Sequence, residues 1–243
     1  MTARPGKTLR AVCFDFQDTL AYYPHGNYAV YVRAAAEHHV SLTQDQLRTQ
    51  SLDDAWSQWR SPLGVEHVEQ SRSEQAWRPV HQGVHASRFV AMGVEAALAS
   101  TIAGRIVDLQ ADPGEYALFD DALPALERLG RAGIESIIVS NHIWRLPEIV
   151  QALGIASRLE GVLTSARVGY RKPHPQMYAA ALRLTRCEPS EVLFVGDNPE
   201  HDVDGPTAAG MRTLLLDRDG PDSLDSTDSR EHSVRSLLDI PLE

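Results

Sequence analysis

Five short apolar runs, at 9–15, 134–140, 162–165, 192–196 and 213–216, narrow the folds open to this chain more than any other feature. Each has the length of a buried strand. Helical periodicity fills gaps between the later ones: Leu123, Leu126 and Leu129 recur within 122–131, and Met177, Tyr178, Ala181, Leu182 and Thr185 within 175–186. Strand alternating with helix requires a parallel sheet, because parallel neighbours need a crossover and the crossover helices cover both faces. The expected fold class is a three-layer α/β core. Residues 21–114 break this rhythm, with helical stretches at 28–37, 43–59 and 89–109 and no convincing strand. An all-helical insertion is therefore expected between core segments 1–20 and 115–243. The Asp-, Ser- and Gly-rich stretch 217–231 reads as a loop, and 234–238 as a short closing helix.

At 243 residues and 43% hydrophobic, the chain can bury a sizeable core. A net charge of -10 argues against duplex nucleic acid or an anionic membrane as partner, since both are bound through clustered Lys and Arg. The polar stretch 1–7 carries no secretory pattern, and no run approaches membrane-spanning length. Two cysteines, Cys13 and Cys187, make neither a disulfide framework nor a multi-cysteine metal site, so a cytoplasmic setting is expected. Of 23 cationic residues only Lys7 and Lys172 are lysines. A lysine kept where arginine does nearly all other cationic work suggests a place for a compact ammonium, with chance as the alternative.

The first run ends in Asp15, at the carboxyl edge of a parallel sheet, where ligands bind. A carboxylate there can attack phosphorus or carbon, or simply cap the next segment. The second run ends in Ser140-Asn141-His142, a hydroxyl and an amide able to donate to an anionic oxygen, although alone the pair reads as a turn. In Gly169-Tyr170-Arg171-Lys172-Pro173-His174-Pro175 two prolines stiffen the backbone beside Lys172, whose ammonium can balance a carboxylate and a phosphate. The fourth run ends in Gly196-Asp197, followed by Asp202; with Asp15 at the same edge these acids form an oxygen-rich site suited to a hard cation such as Mg²⁺.

In this order, with a helical insertion after the first, the four motifs resemble the haloacid dehalogenase-like hydrolase superfamily. The resemblance implies a Rossmann-like core with a helical cap, and a phosphatase acting on a small phosphorylated compound. It also implies that Asp15 forms a phospho-aspartyl intermediate, that Thr19 and Ser140 orient it and bind the phosphoryl group, and that Lys172 neutralises charge. Mg²⁺ would sit between Asp15, the Gln17 carbonyl and Asp197, with Asp202 holding the metal's waters or Lys172. Gln17 departs from the pattern, standing where such phosphatases carry their acid-base aspartate. Acid-base help is worth about 10² to 10⁴ in rate, and an amide cannot supply it. Asp18 occupies the usual glycine position.

Two other readings stand beside the phosphatase: a dehalogenase, which lacks that aspartate but needs no metal, and a binding protein that has lost turnover. His81 and His85 have a spacing able to hold zinc from one helix face, but no third ligand is evident, and packing or surface roles are favoured. Trp56, Trp59 and Trp77 are expected to pack within the insertion, and His38 and His39 to face solvent. Tyr22, Tyr23 and His25 are substrate-contact candidates. Substrate identity and oligomeric state are not legible.

Overall fold

The computed structural model describes residues 8–49, 54–218 and 233–243. β1 (Ala11–Phe14) leads through a tight loop to β2 (Ala21–Tyr22), after which the insertion runs through α1 (Ala29–Glu37) and α2 (Gln44–Arg48). A two-residue hairpin, β3 (Arg60–Ser61) and β4 (Gly64–Val65), precedes α3 (Glu74–Ala91) and α4 (Ala96–Gln110). The chain returns through β5 (Ala117–Leu118), antiparallel to β2, and then alternates α5 (Ala122–Arg131), β6 (Glu135–Ser140), α6 (Leu146–Ala152) and β7 (Gly161–Thr164). It closes with α7 (Ser165–Val168), α8 (Pro175–Thr185), β8 (Val192–Gly196), α9 (Gly205–Ala208), β9 (Arg212–Leu216) and β10 (Ser233–Val234).

The main sheet has the order β10-β9-β8-β1-β6-β7, and every pairing in it is parallel. Alternation along β1 sends Val12 and Phe14 into the core beneath α5 and α6, and Ala11 and Cys13 into the core beneath α8. These two clusters make the chain a three-layer, Rossmann-like α/β protein. From β1 the connections run outward through β6 and β7, then cross back to β8, so β1 sits beside the topological switch where such sheets bind ligands.

Within the insertion, Val30, Tyr31, Leu47, Phe89, Ile102 and Ile106 form a separate apolar cluster. Trp56, Trp77, Val80 and Val84 pack instead with Ala166 of α7, joined by Trp59 and Trp144, so the tryptophans fasten the insertion to the sheet domain. The hairpin, a feature with no apolar run to announce it, contributes too. His67 N donates to Gly169 O at 2.8 Å and Arg171 N to Val65 O at 3.1 Å, tying the insertion's backbone to the segment that carries Lys172.

Three element readings are corrected. The stretch 43–59 is not one helix: α2 ends at Arg48 and a 3₁₀ turn spans Asp54–Trp59. The stretch 89–109 is divided, because the chain turns at Gly93, with φ +87°, between α3 and α4. Most of α3 escaped the reading because its buried face mixes His81, His85 and Arg88 with Trp77, Val80 and Phe89, which blurs the apolar period. At the far end Val234 belongs to a strand pairing with Leu216, and only Leu237–Asp239 coils into a 3₁₀ turn. Of the loop read at 217–231, residues 219–231 lie outside the described residues.

Candidate active site

Asp15 follows β1 directly, and its N–H donates to Val195 O at 2.9 Å, which holds it beside the end of β8. Lys172 reaches it from the loop before α8: Nζ lies 2.9 Å from Asp15 Oδ1 and 2.7 Å from Asp202 Oδ1, with the lysine side chain 1% exposed. Asn141 accepts from Lys172 N at 2.7 Å and donates to Lys172 O at 2.9 Å, so its amide clamps that peptide from both sides. Asn141 thus positions Lys172. Ser140 ends β6, buried, on the strand next to β1.

Asp202 lies in the turn Pro199–Asp204, one of its oxygens taken by Lys172 and the other accepting Asn198 N at 3.0 Å. Tyr178 anchors the turn by donating to His201 O at 2.7 Å. Thr19, fully buried, donates to Asp197 Oδ1 at 3.3 Å. The loop carrying Gln17 and Asp18 closes on itself, with Leu20 N and Ala21 N both donating to Phe16 O at 2.9 Å. Asp18 takes a left-handed φ of +59°, a conformation Asp tolerates better than most residues, and accepts from Asn27 Nδ2 at 3.2 Å. Its carboxyl pKa is raised by burial, with the Asn27 and Gln17 amides pulling the other way. Arg218 braces this loop from behind, donating to Thr19 O at 2.7 Å and to both Asp121 oxygens at 2.9 and 3.0 Å, a support no local motif announced.

The carboxylates of Asp15, Asp197 and Asp202 each offer an oxygen within 4.8 Å of the others, the one group of three or more potential ligands among the described residues. Burial, reinforced by Asp15 and Asp202, raises Asp197 to about 7; burial likewise raises Asp202 to about 6 against the pull of Lys172. Burial would lower the pKa of the Lys172 ammonium, but Asp15 and Asp202 overcome that and raise it. Three carboxylates around one ammonium leave a mostly buried excess of negative charge, which a divalent cation would neutralise. The donor set fits Mg²⁺: Asp15 and Asp197 are half-buried oxygen donors, and no backbone hydrogen bond of the loop ends on the Gln17 carbonyl.

Beside this edge lies a cavity of about 590 Å³, whose lining includes Gln17, Asn141, His142, Tyr31, His85 and Arg88. His81 and His85 face it from α3. Their Nε2 atoms lie 2.9 Å apart, His85 Nε2 also meets Gln110 Oε1 at 3.0 Å, and Tyr31 Oη meets His85 Nδ1 at 3.1 Å. Both are buried, and no third metal ligand joins them among the described residues. Tyr23 lines the cavity as well, whereas Tyr22 packs on Phe119 and His25 is exposed. His39 is exposed and His38 half-buried at the end of α1. The wall formed by His142, Tyr31, Arg88 and Gln110 was not legible beforehand, because its members come from four separate segments.

At adjacent strand ends of a parallel sheet, the chain thus carries a carboxylate ion-paired to a buried ammonium and an acidic cluster. A family model for haloacid dehalogenase-like hydrolase matches residues 9–210, and the chain belongs to that family. It is 31% identical over 239 residues to the human haloacid dehalogenase-like hydrolase domain-containing protein 3, covering 96% of this chain and 92% of that one. It is also 35% identical over 104 residues to a phosphoserine phosphatase of Thermus thermophilus, covering 42% of each. An L-2-haloacid dehalogenase of Xanthobacter autotrophicus shares the fold, with TM-score 0.63, 19% identity and 94% and 95% of the two chains covered. No helix among the described residues is long and apolar enough to cross a membrane.

Proposed function

We propose that this chain is a Mg²⁺-dependent phosphatase of a small phosphorylated metabolite, working through a phospho-aspartyl intermediate on Asp15. The observation that carries this reading is the Asp15–Lys172–Asp202 ion triad beside Asp197, with Gln17 and Asn141, from the loops that carry and clamp it, lining a cavity. Asp15 attacks phosphorus, the ester oxygen departs with the bond electrons, and water then cleaves the acyl phosphate to restore the carboxylate. Lys172 balances charge on the nucleophile and the transferring group, and Ser140 and Thr19 orient them. Asp15, the Gln17 carbonyl and Asp197 would hold the Mg²⁺, with Asp202 steering Lys172; the bound cation would supply further charge neutralisation. Residues 21–114 act as the cap over a core of 1–20 and 115–243, and the buried, unpaired Cys13 and Cys187 suit a cytoplasmic setting.

Gln17 offers no proton to the leaving group, so turnover favours esters whose alcohols leave readily. The same residue favours a second reading, a dehalogenase attacking carbon, where a halide leaves unprotonated. A phosphate-release panel with and without Mg²⁺ decides between them. We expect release that chelation and Asp15→Asn abolish, and that Gln17→Asp raises by about tenfold or more for poor leaving groups. Release indifferent to chelation and to Asp15→Asn rejects the mechanism, and metal-free halide release from 2-haloacids establishes the second reading.

A further inference from the structure

Arg88, on α3, lines the cavity and is only 5% exposed. Its guanidinium carbon lies 5.2 Å from the Tyr28 ring and 5.1 Å from the Tyr31 ring, and one of its N–H groups donates to the Leu47 carbonyl. Its buried Nε has no hydrogen-bond partner among the described residues. Among the described residues no carboxylate lies within 4.0 Å of it, whereas Arg33, Arg78 and Arg105 of the same insertion hold Glu115, Asp108 and Glu37.

A guanidinium stays charged at every pH a protein survives, and a buried charge without a counter-charge is costly. The two aromatic faces compensate only in part. The polar groups nearest along the wall, the Tyr31 hydroxyl, His85 and Gln110, bring no negative charge, since burial holds the His85 pKa down to about 4 and lifts that of Tyr31 to about 12. The cavity lining thus holds Gln17 and Asn141, from the segments beside Asp15 and Lys172, together with a buried cation that no carboxylate among the described residues balances.

We propose that Arg88 is the binding site for a second anionic group on the substrate, so that the molecule hydrolysed is a phosphomonoester whose far end carries a carboxylate or another phosphate. The direction of binding rests on the phosphatase reading above; the Arg88 subsite itself does not require turnover. A planar fork suits either anion bidentately, and the two sources are separated by matched probes.

The test measures binding by calorimetry to the Asp15→Asn protein with Mg²⁺, using 3-phosphoglycerate against glycerol 3-phosphate, and fructose 1,6-bisphosphate against fructose 1-phosphate. The member of at least one pair that carries the second anionic group is expected to bind about 10- to 100-fold tighter, the size of a charge-assisted hydrogen-bond contribution, and the responding pair identifies carboxylate or phosphate. Arg88→Met should bring that ratio within about threefold, and Arg88→Lys, which keeps the charge but loses the fork, should lower it at least threefold. If Arg88→Met does not fold, Arg88→Lys alone decides. No preference in either pair, or a ratio unmoved by these substitutions, overturns the proposal; a merely structural Arg88 would shift the thermal midpoint and leave the ratio intact. Absence of phosphate release from p-nitrophenyl phosphate, with an Arg88-dependent ratio preserved, defeats the phosphatase reading alone.

Discussion

Gly196 shows how closely the site is assembled. A Cβ there would stand 2.2 Å from Asp202 Oδ2, so only glycine lets the acidic turn fold back against the end of β8. That approach carries Asp202 to Lys172, and Lys172 to Asp15. The pairing of one ammonium with two carboxylates is therefore a local consequence of a missing methyl group. Replacing Lys172 by Met leaves Asp202 buried without its counter-charge. Urea denaturation of the metal-free Lys172→Met protein should show a loss of about 3 to 5 kcal/mol, the usual effect of breaking a buried ion pair, with phosphate release abolished. A loss below about 1 kcal/mol would mean the triad is not closed in solution.

At the scale of elements, α3 does two jobs at once. Trp77, Val80 and Val84 pack toward α7, while His81, His85 and Arg88 line the cavity. Burial holds His67, His85 and His142 down to about 4 and His81 well below its ordinary value, so all four are neutral when folded at neutral pH. Each has a folded pKa below its unfolded value of about 6.5, so the unfolded chain takes up protons first as pH falls. Their contribution is complete above pH 6.5 and is lost toward pH 4, each adding up to about 1.4 kcal/mol per pH unit within that window. Thermal midpoints measured in saturating Mg²⁺ should drop steeply below pH 6.5, and His85→Gln should flatten the slope; a flat profile would contradict the buried histidine cluster.

Across the whole molecule, the acidic cluster titrates in the opposite sense. Asp197 and Asp202, raised to about 7 and about 6, bind protons more readily folded than unfolded. Without a cation their contribution to the folded state is complete below about pH 4, the unfolded carboxyl range, and is lost as pH rises from there through 6 to 7. A divalent ion replaces the protons. Chelation should therefore lower the thermal midpoint markedly at pH 8 and little at pH 5.5, and re-addition of Mg²⁺ should restore it. Equal effects at both pH values would show that these carboxylates are not the cation's ligands.

The strands at 134–140, 192–196 and 213–216 and the acids ending the first and fourth were legible because periodicity and strand ends are written along one segment, residue by residue. Lys172 stood out for a similar reason, as a rare residue just ahead of two prolines. The hidden features are those made through space. Strand order brings Asp15 between β6 and β8; α3 shows no clean period because a cavity wall needs polar residues where a core needs apolar ones; and Asn141, the Arg218 brace and Arg88 acquire meaning only from neighbours 31 or more positions away. Sequence alone determined the alternating strands and helices of the sheet domain and the acids at the strand ends, because those are short-range properties of side chains and backbone. Tertiary structure decided what faces the cavity, because that depends on crossovers and packing that bring distant segments together.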